Sequence, residues 1–173
     1  MSAKMRISLA SRWIAEADMY LVDTDVISEA RKGEKSNPGV RAFFEHARVE
    51  ATELYLSVVT IGELRHGVER IRYRGDKPQA QRLERWLLQL TTVYEDRILA
   101  LDEEIAHVWG RLRVPNAENP LDKQIAATAL IHDLVVVSRN VDHFAPTGVR
   151  VLNPFTQRQS WKRRSSNDYS WSA

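Results

Sequence analysis

Acidic side chains stand in this 173-residue chain where apolar runs stop. Asp23 and Asp25 follow Met19-Tyr20-Leu21-Val22, and Glu63 comes shortly after Leu54-Tyr55-Leu56-Ser57-Val58-Val59. Asp122 opens an alanine-rich segment that leads into Leu134-Val135-Val136-Val137, and Ser138, Arg139 and Asn140 follow that run, with Asp142 two residues on. Carboxylates gathered at one rim repel each other unless a cation compensates. An oxygen-rich donor set without thiolates or paired histidines selects a hard ion, Mg²⁺ or Mn²⁺. Such an ion works with phosphates and can clamp both oxygens of an in-line displacement. The chemistry these residues suit is therefore phosphodiester hydrolysis more than acyl transfer or glycoside cleavage.

Each acid also has a local explanation. Thr60-x-x-Glu63 matches a capping box, in which the glutamate satisfies a backbone N–H at a helix start. Asp122, two residues after Pro120, and Asp23 or Asp25 are equally good N-caps. Only the set, placed at corresponding points of successive elements, argues for a site. Among the five histidines, His46, His66, His107 and His132 fall on helical segments with no ligand spacing, and His143 ranks low although it lies near the rim.

The elements that must position these residues alternate strand with helix. Four mainly apolar runs, at 19–22, 54–59, 98–101 and 134–137, suit strands buried on both faces, and Val149-Arg150-Val151-Leu152 reads as a last strand. Helical stripes occur at Val40, Phe43, Phe44 and Ala47; at Leu64, Val68 and Ile71; at Leu83, Trp86, Leu87 and Leu90; and at Ile105, Val108, Trp109 and Leu112. Leu121 to His132 forms another helix, with Ile125 and Ala129 inward. The pattern predicts a three-layer α/β/α sandwich around a central, mainly parallel sheet. In such sheets ligands bind beyond the carboxyl ends of the strands, where strand order reverses. Gly62 to Gly67 lacks the Lys-Ser/Thr of a P-loop.

The domain is expected at residues 19–156, behind an N-terminal extension at 1–18 and ahead of a basic, disordered tail at 157–173. Lys4, Arg6 and Arg12 flank no apolar core of a signal peptide, and Arg158, Lys162, Arg163 and Arg164 face only Asp168. The absence of cysteine excludes disulfides, zinc–thiolate sites and cysteine nucleophiles and agrees with a cytoplasmic protein. Net charge is +2 and the sequence pI about 9.0, a weak pointer to an anionic partner. No apolar run is long enough to span a bilayer, so no membrane is expected as a partner.

Four segments resemble the motifs of PIN domains, in order, over about residues 19 to 155. Leu21-Val22-Asp23-Thr24-Asp25 resembles the opening strand-Asp-Thr-Asn motif, with Asp25 where asparagine is commoner. Leu56 to Gly67, with Glu63 on the helix, is similar to the second motif, and Leu121-Asp122-Lys123-Gln124-Ile125 to the third. Val137-Ser138-Arg139-Asn140-Val141-Asp142-His143-Phe144 resembles the fourth, and Val151-Leu152-Asn153-Pro154-Phe155 the final strand. Within the family the chain looks closest to VapC- and FitB-like toxins of type II toxin–antitoxin systems. The resemblance implies a PIN-like sandwich and an endoribonuclease dependent on Mg²⁺ or Mn²⁺, homodimeric and neutralised by a small antitoxin. Promoter DNA is implied only indirectly, through the antitoxin. The resemblance makes Asp23, Glu63 and Asp122 the metal-binding acids and puts Asn140 in a fourth catalytic position, where some members have aspartate. Asp25, Ser138, Arg139 and Asp142 become accessory, and Arg31, Arg65 and Arg139 are placed to hold an RNA backbone. Water would attack in line and the 3′ oxygen leave, giving a 5′-phosphate.

Two other readings use the same residues. A receiver-like regulatory domain also gathers acids at strand ends, but it needs a well-placed lysine near a later strand end, and Asn140 counts against it. A PIN-fold binding or regulatory protein with weak or lost nuclease activity is compatible with Asn140.

Overall fold

A computed structural model describes residues 19–156; the expected extension (1–18) and basic tail (157–173) lie outside the described residues. The strands are β1 (Tyr20–Val22), β2 (Leu54–Ser57), β3 (Ile98–Leu99), β4 (Val135–Val137) and β5 (Val151–Leu152). The helices are α1 (Thr24–Ala30), α2 (Pro38–Val49), α3 (Val58–Tyr73), α4 (Lys77–Val93), α5 (Glu103–Leu112), α6 (Pro120–His132) and α7 (Val141–Phe144). The sheet runs in the order β3-β2-β1-β4-β5, and every pairing is parallel.

Why the runs do not alternate follows from the two cores. Side chains on a strand point to opposite faces in turn. Leu21 and Val136 face a core with Ile125, Ala126, Ala129 and Phe144. Their neighbours Val22 and Val137 face the other core, with Val26, Val40, Phe43, Leu56, Leu64 and Leu87. Both faces are dry, so both parities are apolar. That is the expected three-layer sandwich.

Cap residues set the helix starts. Asn37 accepts from Gly39 and Val40 N–H, Asp76 from Gln79 N–H at 3.0 Å, and Asp102 from Ile105 N–H at 3.0 Å. The second strand is shorter than its apolar run. Ser57 accepts the Val59 N–H at 3.1 Å, so the helix begins at Val58, which is 43% exposed. Two β-branched residues that read as strand belong to α3, because the cap overrides their propensity. Likewise β3 ends at Leu99, β4 omits Leu134, and β5 is confined to Val151 and Leu152. His132, at the end of α6, is exposed.

Phe144 ends α7, is fully buried, and anchors the segment that follows β4 against α6. Phe144→Ala should cost ~3–5 kcal/mol in urea denaturation followed by far-ultraviolet circular dichroism. A loss under about 1 kcal/mol would show that this segment does not depend on the anchor.

Candidate active site

From β1 the sheet extends to β2 and β3 on one side and to β4 and β5 on the other, so the strand order reverses between β1 and β4. Asp23 leaves the end of β1 there, its N–H donating to Val137 O at 2.9 Å. Its carboxylate accepts the Thr24 N–H at 2.7 Å and the Ser138 hydroxyl at 2.6 Å. Ser138 Oγ in turn accepts the Asn140 N–H at 3.0 Å, which orients the hydroxyl proton toward Asp23. Asp23 and Ser138 are 2% and 0% exposed, so the carboxylate is fixed by the ends of two neighbouring strands.

The other acids arrive on helices. Asp25, in the first turn of α1, accepts the Arg139 N–H at 3.0 Å, with Arg139 Nε at 3.7 Å from the same oxygen. Its other oxygen, Oδ1, is buried and has no hydrogen-bond partner among the described residues. Glu63, in the second turn of α3, accepts the Thr24 hydroxyl at 2.5 Å. Asp122, in the first turn of α6, meets His143 Nδ1 at 2.6 Å. Thr24 and His143 thus tie acids from distant parts of the chain to the β1 and β4 ends.

Crowding shows in the protonation equilibria. Burial, chiefly, raises Asp23 from its ordinary 3.8 to about 7. The Ser138 and Thr24 hydrogen bonds oppose that rise, and the charges of Asp25 and Asp122 add to it. Asp25 is raised as well, by burial first; Arg139 opposes the rise and Asp122 contributes to it. The three aspartates therefore feel one another at a single rim. Among the described residues, no three Asp, Glu or His groups form a ready-made metal cluster.

The local alternatives separate cleanly here. Asp23 does cap α1, so capping and site membership coexist in it. The capping box at Thr60 and Glu63 does not form: Ser57 is the cap, and the buried Thr60 hydroxyl has no partner among the described residues. Asp122 is not an N-cap either, since Asn119 holds that position. Asn140 enters the network through its backbone N–H, and exposed Asp142 takes no part in these hydrogen bonds. Arg65 is engaged with Glu84 at 2.7 Å on α4, while Arg31 lies 5.5 Å from the Trp86 ring centre. Arg139 stands 4.9 Å from the Phe155 ring. Sequence reasoning ranked His143 too low and overlooked Thr24 as a partner for Glu63. Their only signal was adjacency to rim residues.

Residues 20–148 match the PIN domain family. Toxin FitB of Neisseria gonorrhoeae is 35% identical over 144 residues, covering 79% of this chain and 99% of that protein. VapC ribonuclease Y4jK of Sinorhizobium fredii is 30% identical over 143 residues, covering 79% and 98%. Among solved structures, FitAcB from Neisseria gonorrhoeae superposes with a TM-score of 0.70 at 32% identity, covering 80% of this chain and 100% of the other. The all-parallel sheet, the acids at its switch point and these similarities agree: the chain belongs to the PIN domain family, as a FitB- and VapC-like member.

Proposed function

We propose that this chain is a Mg²⁺- or Mn²⁺-dependent endoribonuclease, the toxin of a cytoplasmic toxin–antitoxin pair. It would act as a homodimer, be restrained by a small antitoxin, and reach promoter DNA only through that antitoxin. The observation that carries the reading is the acid rim at the switch point, with a buried Asp25 oxygen that has no hydrogen-bond partner among the described residues. Relatives named toxin and ribonuclease support it. Among the described residues no helix is long and apolar enough to cross a membrane.

The donor chemistry fits a hard divalent ion. Every candidate ligand is a carboxylate oxygen, and the mutual repulsion of Asp23, Asp25 and Asp122 is what a cation would relieve. Mg²⁺ commonly uses one or two carboxylates plus waters, so a closed protein cage is not required. When bound, the ion supplies Lewis acidity toward the phosphate and lowers the pKa of water.

Asp23, Glu63 and Asp122 would hold it, and the chain's own hydrogen bonds aim them. Ser138 holds its proton on Asp23 Oδ2, Thr24 holds its proton on Glu63 Oε2, and His143 fixes Asp122 through Oδ2. The Arg139 backbone N–H restrains Asp25, leaving Arg139's guanidinium, largely exposed, as a cation at the edge of the rim for an RNA backbone.

Purified chain should cleave single-stranded RNA with Mg²⁺ or Mn²⁺ and stop with EDTA. Asp23→Asn or Glu63→Gln should lower the rate by at least ~10²-fold, and Thr24→Val by ~10-fold through a misplaced Glu63. Cleavage that survives chelation and Asp23→Asn rejects the metal-site reading. No cleavage with any divalent ion favours a PIN-fold binding protein instead.

Stability gives an independent readout. Because folding raises the Asp23 pKa, its protonated form is favoured in the native state. The carboxyl therefore costs nothing below the unfolded value of 3.8, and stability is lost as pH rises, levelling off above about 7. In EDTA at about pH 8, Asp23→Asn should be more stable than wild type by ~2 kcal/mol in urea titrations, and the gain should vanish near pH 4. Adding Mn²⁺ at the higher pH should stabilise wild type and not the variant. A variant less stable than wild type at about pH 8 would contradict the burial penalty assigned to Asp23.

A further inference from the structure

A cavity of about 260 Å³ adjoins the acid rim, with Thr24 and Glu63 among the residues that line it. Arg31, Arg70, Trp86 and Ser28 also line it, together with aliphatic side chains such as Leu64 and Leu83. Helix periodicity explains the layout. Glu63, Gly67 and Arg70 are spaced i, i+4, i+7 on α3 and share one face. Gly67 sits between the two charged residues, and a Cβ built there would meet nothing within 4 Å. A glycine inside a helix costs ~1 kcal/mol against alanine, and at this position it keeps the cavity open.

The cations are placed differently from their neighbours on the same helix. Arg65 and Arg72 are bound to Glu84 of α4, both at 2.7 Å. Arg70 forms no ion pair among the described residues, and Arg31 lies over the Trp86 ring at 5.5 Å. A planar guanidinium–indole pair is a surface on which a base can stack, Arg70 suits the adjoining phosphate, and the Ser28 hydroxyl can bond a base edge. The volume is below the usual range for drug-sized ligands, and a docked helix would need a groove long enough for anchors over two turns.

We infer that this cavity seats one unpaired nucleobase of the RNA, next to the phosphate held at the acid rim, and so selects where the strand is cut. The inference rests on the ribonuclease reading. The occupant is a flipped-out nucleotide, with its base against Trp86 and Arg31 and its phosphate near Arg70. Gly67→Leu would project into the cavity from a position where an added Cβ meets nothing within 4 Å, and it replaces glycine with a stronger helix former.

The probes are single-stranded RNA hexamers carrying 2-aminopurine at one position each, titrated with the full chain in Ca²⁺ and again in EDTA. One position should be quenched. Gly67→Leu, and separately Arg31→Ala with Arg70→Ala, should remove that quenching and weaken binding ~10-fold. An abasic site at the same position should weaken wild type equally and add nothing to Gly67→Leu. Cleavage by wild type with Mn²⁺ but no quenched position, or additive losses, overturns the inference and leaves the nuclease reading standing. Quenching without Mn²⁺-dependent cleavage overturns the nuclease reading and, with it, any role of the cavity in choosing the cut. If Gly67→Leu leaves both the quenching and RNA binding intact, the cavity holds no base and the inference fails.

Discussion

The site depends on one side-chain hydrogen bond between the ends of two neighbouring strands: the buried Ser138 hydroxyl donates to Asp23 Oδ2. It works because the parallel pairing of β1 with β4 already places Val22 opposite Val137, so the next residue of each strand emerges at the same level. The Asp23 N–H to Val137 O bond continues the ladder one step beyond β1. Asp23 is thus positioned by backbone geometry first and by the hydroxyl second. Thr24, which starts α1, carries that position onward to Glu63, and Asn140 supports it from the other strand.

Gathering acids at such a point works against stability. Burial alone disfavours the charge on Asp23, and two neighbouring aspartates deepen the penalty. The rest of the molecule offsets this cost with two dry cores and capped helices. Strain of this kind collects at functional sites, since a group satisfied in the free protein has little left to offer a ligand. The uncompensated Asp25 oxygen has the same meaning.

Much of the architecture was legible because both faces of the sheet are buried: unbroken runs such as Val135-Val136-Val137 have few other uses. Boundaries were less legible. Val58 and Val59 carry strand propensity, yet Ser57 turns them into helix, an outcome decided by one side-chain hydrogen bond. At the site, Asp23, Glu63 and Asp122 stood out by placement at strand ends and helix starts. His143 and Thr24 did not, because their role comes from tertiary proximity across 21 and 39 residues. Nor could the sequence show that Arg65 is consumed by Glu84 while Arg70 has no carboxylate partner among the described residues.

Helix α3 brings these strands of argument together. A residue in a strand advances ~3.3 Å and one in a helix ~1.5 Å. Had β2 continued through Val59, α3 would start roughly 4 Å further beyond the rim, taking Glu63 out of reach of Thr24. With the start fixed at Val58, one face of α3 presents Glu63, Gly67 and Arg70 toward the rim and its adjoining cavity. Arg65, Glu69 and Arg72 form an ion network with Glu84 of α4. Buried Leu64 and Val68 seat α3 in the core, and in that orientation the pairings with α4 engage Arg65 and Arg72, so the packing of α3 also decides which of its arginines remain available to a polyanion.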